Sequence, residues 1–397
     1  MSTEIINRNL KNRIITIFNQ DRLLYLLFVF FLWYAANPVF FERKFYINEI
    51  LSFIGFLFFL SNPVIYKTKD YLYNSVILTL CIFFLYALLS LLFYKDLYGY
   101  LRNLVLVYSI FSFFLGIKFF NVLIKMEKHD PFFLCPLIVT ALFSFHEFYR
   151  TGYAVTLPLY LTAFTKYHRW FSLYLIILTM LILREIVGGS TPVFIALFLV
   201  LLTILNQKRK IIALIIFLIA STLSMIYIKP YLDFLIKGVS LYDVLKIDPL
   251  LMLDGNATTR LFIWGFLLHK VFLFNIFGIG LGTPFLPKEF IWDNLMMWIK
   301  DPNIEYTIGA HNSFITILVR FGIIGFVPFI LLYWNLIKDY INDRERKIHH
   351  RIIYLYYAFF IITGCALLNV VLESPIQSSL YWGTLGILYK AKEKDFQ

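Results

Sequence analysis

The sequence predicts an all-α, polytopic membrane protein of about twelve transmembrane helices, with one large helical loop outside the bilayer. Three observations carry that prediction. Of the 397 residues, 60% are hydrophobic and 15% charged, with 44 Phe and 27 Tyr, which is more apolar surface than a water-soluble core can hide. The apolar runs approach the roughly 20 residues that a helix needs to cross ~30 Å of hydrocarbon, and they lack the period-2 alternation of barrel strands. Basic residues recur in alternate connections, the pattern that membrane topology imposes.

The elements follow in order. Residues 1–22 are polar and contain no small-residue cleavage pattern, so the first apolar run is expected to remain as an anchor. Spans are predicted at 23–41, 47–66, 72–94, 100–120, 131–149, 153–166, 170–187, 191–206 and 211–228, then at 321–337, 352–372 and 375–390. Basic clusters fall at Arg8, Lys11, Arg13 and Arg22; at Lys67 and Lys69; at Lys118, Lys125 and Lys128; at Lys166 and Arg169; and at Lys208, Arg209 and Lys210. They resume at Lys338, Arg344, Arg346, Lys347 and Arg351, and at Lys390, Lys392 and Lys394. Such residues stay on the cytoplasmic side, so both termini are expected in the cytoplasm and the long loop faces outward. The chain then divides into N-terminal transmembrane helices (1–228), the large outer loop (229–310) and C-terminal transmembrane helices (311–397), all within one membrane domain.

The net charge of +12 is largely this topology signal. No basic run is interleaved with exposed aromatics on a soluble domain, which excludes nucleic acid as a partner and leaves the lipid bilayer as the expected surroundings. Cys81, Cys135 and Cys365 all lie in apolar runs and read as small core residues, not as disulfides or metal ligands.

Between Ile228 and Ser313 the chain stops being membrane-like. The segments 231–237 and 241–253 have loose helical amphipathicity, fit for helices lying on the membrane surface. Further on, Thr258 or Thr259 is placed to cap a helix starting at Arg260, which sets Arg260 and Trp264 four apart on one face. A cation beside an indole suits a phosphate and a sugar ring; a solvated cation beside an interfacial Trp is the other reading. Gly278, Gly280 and Gly282 do not spell G-x-G-x-x-G and no strand–helix unit surrounds them, so they read as tight turns and close backbone approach.

His311 follows Gly309 where the loop rejoins the membrane, opening a new helix with Asn312 and a Gly322-Ile323-Ile324-Gly325 turn into the next span. Imidazole titrates near neutrality and can take a proton from a hydroxyl nucleophile, although a lone histidine also reads as a structural residue. No second His or Cys stands at ligand spacing, so neither a metal nor another cofactor is expected.

A charge at bilayer depth costs at least about 2.5–3.5 kcal/mol, and four arginines meet that condition: Arg102, Arg150, Arg184 and Arg320, all on the outer half. Each alone reads as a snorkelling side chain. Together they suit a pyrophosphate, because guanidinium keeps its charge and forks two donors onto phosphate oxygens. Glu147, Glu185 and Glu373 lie on the same side. Glu185 most simply partners Arg184, while Glu373 is placed to orient a histidine or accept a sugar hydroxyl, or is an interfacial carboxylate. Trp264, Trp292 and Trp298 are candidates to face sugar rings, or interfacial anchors.

The order TTRLFIW, FGIGLGTPF, HNSFITILVRFGIIGF, with Arg150-Thr151-Gly152 upstream and a final pair of spans, resembles the bacterial O-antigen polymerase and O-antigen ligase superfamily over roughly residues 145–390. The resemblance implies a metal-independent glycosyltransferase of the inner membrane, working on the periplasmic face. Its donor would be a glycan on undecaprenyl pyrophosphate and its acceptor a sugar hydroxyl. Arg260 looks like the family's arginine that holds the pyrophosphate, and His311 like the histidine near the acceptor hydroxyl; these two are the candidate catalytic residues. Arg150 resembles the arginine of the family's R-x-G element. The family's usual Ser-Arg is missing at Ser190-Thr191-Pro192, and Arg184, about two turns earlier, is placed to supply that charge. The candidate substrate-binding set is therefore Arg150, Arg184, Trp264, Asn312 and Glu373.

The reading favoured is an O-antigen polymerase joining lipid-linked repeat units, with a polysaccharide chain-length regulator as a candidate partner. The alternative is an O-antigen ligase delivering glycan to the lipid A core. A transporter or flippase would need polar residues near mid-bilayer and repeated halves, and no convincing repeat is seen. A scaffold or sensor gives no reason for His311 and the outer arginines to gather.

Overall fold

In the computed structural model the described residues are Leu24, Leu27, 47–61, 70–93, 96–129, 260, 263–267, 276–286, 309–345, 350–368 and 371–395. Among them every regular element is helical and no strand occurs. In chain order these are α1 (Ile47–Ser61), α2 (Tyr71–Ser90), α3 (Leu97–Asn103), α4 (Val105–Tyr108), a 3-10 turn (Ser109–Phe111), α5 (Ser112–His129), α6 (Ser313–Glu345), α7 (His350–Leu368) and α8 (Pro375–Asp395). A further helical stretch covers 263–267.

Tyr71–Ser90, Leu97–Ile124 and Ser313–Asp343 are long and apolar enough to cross a membrane, and Glu49–Ser61 and Arg351–Gly364 are shorter apolar helices. Described helices thus overlap the regions read as spans at 47–66, 72–94, 100–120, 352–372 and 375–390. One boundary differs. The span expected at 321–337 belongs to a helix that already starts at Ser313. The spans expected at 131–149, 153–166, 170–187, 191–206 and 211–228, with most of 23–41 and most of the outer loop, lie outside the described residues.

Local chemistry starts the helices. Asp70 caps α2 by accepting from the Tyr73 amide at 3.1 Å, and Asp96 caps α3 by accepting from Gly99. Packing then rests on small residues. A Cβ on Gly116 would lie 2.1 Å from the Gly383 carbonyl oxygen, one on Gly386 2.0 Å from that of Phe113, and one on Gly55 2.1 Å from that of Phe111. Backbone therefore meets backbone where α1, α5 and α8 converge, the close approach that gives van der Waals cohesion in lipid. Serine hydroxyls fill the same seam: Ser109 and Ser378 lie 2.6 Å apart, and Ser52 is 3.1 Å from Ser112 and 3.3 Å from Ser379. Between apolar helices each hydroxyl needs such a partner. The α2–α6 contact is aromatic, with Phe83 stacked on Phe321 at 3.9 Å. Cys81, read as a core residue, instead lies on the exposed face of α2, where the helix meets no other described element.

These contacts fix which parts share a level. Leu281 N donates to Ser90 Oγ and Leu372 N to Ser313 Oγ, both at 3.0 Å, so the end of α2, the start of α6 and the α7–α8 turn lie at one end of the bundle. At the opposite end Tyr389 donates to Asp70, Asn335 Nδ2 to Ser75 Oγ at 2.9 Å, and Lys392 pairs with Asp339 and Asp343.

Candidate active site

The first of these ends is organised by a broken helix. Gly322, with φ 62° and ψ −167°, interrupts α6, and the loop 276–280 crosses the break. Ile279 N donates to Val319 O at 2.9 Å, Gly280 N to Arg320 O at 3.0 Å, and Ile324 N to Ile276 O at 3.5 Å. Backbone groups freed within a span have no water to bond, so irregular backbone there must be met by protein. Glycine is required at both partners: a Cβ on Gly322 would lie 2.1 Å from Ile276 O, and one on Gly278 2.4 Å from Gly322 N. The expected tight turning of Gly278, Gly280 and Gly282 is present as three positive φ angles of 73°, 76° and 76°. The amides of Ile279, Gly280 and Leu281 are all committed to protein acceptors, so this loop clasps a helix and is not an anion cradle.

His311 stands at the mouth of this arrangement with φ 50°, the single positive φ of a non-glycine residue among the described residues. That region is sparsely populated by L-residues and persists where neighbours enforce it. Both neighbours do. The carbonyl of Ala310 accepts the indole N–H of Trp264, and Asn312 Oδ1 accepts from Phe314 N at 2.9 Å and Ile315 N at 3.0 Å. Asn312 is therefore the N-cap of α6, and the helix starts two residues after His311.

Behind His311 lies an apolar cluster of Ile263, Leu267, Phe285, Leu286, Ala310, Ile315 and Val319, with Trp264 and Ile279 packed against it. Arg260, partly buried, is helical and four residues before Trp264, the spacing expected from sequence.

Glu373, in the α7–α8 turn, accepts from Ser313 Oγ at 2.9 Å and from Thr316 Oγ1. Burial pushes its pKa up from the usual carboxyl value, against the opposing pull of the Thr316 and Ser313 hydroxyls, its own backbone amide and the Arg320 charge. Arg320 is buried in the first segment of α6. Its Nη1 donates to Gly280 O at 3.1 Å and to Thr283 O, and its guanidinium lies 4.0 Å from the Phe285 ring centroid. Its Nε is buried without a hydrogen-bond partner, and no carboxylate of a described residue lies within ion-pair distance.

Trp264, His311, Asn312 and Glu373 are thus assembled at one end of the bundle, with Arg260 four residues before Trp264 in the chain. Arg102 is exposed on α3. Arg150 and Arg184, like Glu147, Glu185, Trp292, Trp298 and Cys135, lie outside the described residues. Sequence reasoning missed Ser313 and Thr316, the hydroxyls that hold Glu373. Their spacing of three, directly after a capping asparagine, was the signal available. The assembled groups offer an imidazole for proton transfer, a carboxylate for hydroxyls and guanidinium charge for an anion.

Residues 173–330 match the family model described as O-antigen ligase, a stretch that contains Arg184, Arg260, Trp264, His311, Asn312 and Arg320 but neither Arg150 nor Glu373. The chain is 30% identical over 139 residues to a Rickettsia prowazekii protein named "Putative polysaccharide ligase", covering 32% of this chain and 33% of that protein. It is 29% identical over 168 residues to a protein of the same name from Rickettsia conorii, covering 39% of each. These similarities thus span well under half the length of the relatives. Over 173–330, in a chain with helices able to cross a membrane, the sequence is thus similar to the O-antigen ligase family and, over about a third of its length, to these polysaccharide ligases.

Proposed function

We propose that this protein is a membrane glycosyltransferase that moves a glycan from undecaprenyl pyrophosphate to a sugar hydroxyl at the periplasmic face, acting as an O-antigen polymerase. The observation that carries this reading is His311, held in a left-handed backbone conformation between the Trp264–Ala310 bond and the Asn312 cap. Strain enforced from both sides at one imidazole is what a positioned base requires. The proposed topology has about twelve spans with the 229–310 loop in the periplasm, and one feature of the bundle favours its orientation. Lys390 and Lys392 lie at the end opposite Glu373, as a cytoplasmic end would have them.

In the proposed step the acceptor hydroxyl oxygen attacks the anomeric carbon of the donor sugar, and the bond from that carbon to the pyrophosphate oxygen breaks. His311 takes the hydroxyl proton, and undecaprenyl pyrophosphate leaves with the bonding electrons. Arg260, with Arg150 and Arg184, balances the charge that develops on the leaving group, without a metal. Trp264 lines the donor side, and Asn312 serves by fixing His311. Glu373 oxygens have lone pairs beyond those used by Ser313 and Thr316, and these accept from sugar hydroxyls. Holding two lipid-anchored sugars in one geometry supplies much of the remaining rate.

A second reading, ligase, is favoured by the names of the family model and of the relatives. The same chemistry serves it with lipid A core as acceptor. Deleting the gene and running the lipopolysaccharide on a gel separates the two. A single repeat unit on the core supports polymerase; bare core with long lipid-linked chains accumulating supports ligase. An unchanged ladder would rule out both.

A further inference from the structure

Arg320 has no part in the step above, yet its surroundings are specific. Ser313, Thr316 and Arg320 recur at spacings of three and four, so they share one face of α6. Glu373 takes the two hydroxyls, and Arg320 reaches from the next turn into the loop. Nη1 donates to the carbonyls of Gly280 and Thr283, Gly280 N returns to Arg320 O, and Phe285 lies against the guanidinium. A buried cation with an orphaned Nε and no carboxylate of a described residue within ion-pair distance is a poor device for stability alone, because a well-packed apolar side chain does that work as well or better. What guanidinium does that an apolar group cannot is hold two carbonyls and a ring face at once.

Phe285 connects this grip to the site. It packs in the cluster with Ile263, Leu267 and Ala310, which backs both the Trp264–Ala310 bond beside His311 and the helical stretch next to Arg260. We propose that Arg320 is a positioning residue: through Gly280, Thr283 and Phe285 it sets the 260–267 stretch against His311, and so the spacing between the cation that holds the donor and the base that activates the acceptor. This rests on the roles proposed above for Arg260 and His311.

The test uses the full-length protein in nanodiscs with undecaprenyl-pyrophosphate-linked repeat unit extracted from the host, comparing wild type with His311→Ala, Arg320→Gln, Arg320→Lys and Phe285→Leu. Misplacement of this kind lowers kcat on the order of 100-fold in Arg320→Gln, with the melting temperature kept. KM stays within about twofold, since neither substrate touches the residue. Arg320→Lys recovers part of the loss, and Phe285→Leu shows a smaller loss of the same kind. Wild-type kcat in both Arg320→Gln and Phe285→Leu would overturn the proposal, as would losses that follow the folded fraction alone. If Arg320→Gln does not fold, Phe285→Leu decides, because it removes the ring and leaves the charge. A fully active His311→Ala removes the base assignment and this proposal with it, whereas an inactive His311→Ala beside normal Arg320→Gln and Phe285→Leu removes the positioning role alone.

Discussion

At the end of the bundle that carries Lys392, opposite charges meet directly. Lys392 pairs with Asp339 and lies 3.5 Å from Asp343, the Tyr356 hydroxyl donates to Asp343 at 2.8 Å, and Tyr389 donates to Asp70. At the other end the charged groups are held by neutral ones: Glu373 by two hydroxyls, Arg320 by two carbonyls and a ring. The paired ions neutralise each other and fasten α8 to α6, while the Tyr389 hydroxyl on Asp70 fastens α8 to the start of α2. Groups held by neutral dipoles keep an electrostatic pull on what lies near them, as Arg320 does on Glu373, and that pull is strong in a low-dielectric setting. The contrast separates fastening from chemistry, and the proposed reaction is assigned to the second end.

Gly322 gives the largest effect on that contrast. Its Cβ-free backbone at φ 62° touches the loop, so Gly322→Ala should leave little folded protein in membranes, judged by size-exclusion of the extracted chain. Gly383→Ala in the α5–α8 seam is the control: its added Cβ meets nothing nearer than 3.8 Å, and it should fold with a stability change within about 0.5 kcal/mol. Equal yields of the two variants would contradict the helix-break account. Arg260→Ala comes next. It should fold normally and lose on the order of 100- to 1000-fold in glycan transfer, as removal of a charge-stabilising donor does. Lys392→Met, at the fastening end, should do the reverse, lowering stability by about 1–3 kcal/mol with transfer per folded molecule unchanged. A drop in specific activity there would erase the division between the ends.

Glu373→Gln should have the smallest effect. Because burial raises the Glu373 pKa, the native state favours the neutral acid, and that preference is fully present below the ordinary value of 4.5 and is lost as pH rises through the raised one. Glutamine mimics the neutral form at every pH. Wild type should therefore melt progressively lower than the variant as pH rises through that window, and the two should converge in acid. Parallel melting curves across the range would contradict the assignment.

Much of the scaffold was legible because apolar runs and bilayer thickness are local arguments, and so the helices near 47–61, 71–90 and 97–129 appear where the composition put them. The Arg260–Trp264 spacing was equally local. The start of α6 was not, because Asn312 caps it ahead of the fully apolar run. The break at Gly322 was read as an ordinary turn between elements, since its hydrogen bonds come from Ile276, Ile279 and Gly280 far back in the chain. For the same reason the serine seam and the partners of Glu373 were invisible: pairs such as Ser109 and Ser378 have meaning only once the 3-10 turn before α5 and α8 are side by side.

The most direct measurement of the central claim is transfer by His311→Ala in nanodiscs with host lipid-linked repeat unit, compared with wild type at equal folded protein. Loss of a positioned base predicts a fall on the order of 100- to 10,000-fold with the melting curve largely retained. Wild-type transfer by a well-folded His311→Ala protein would contradict the account.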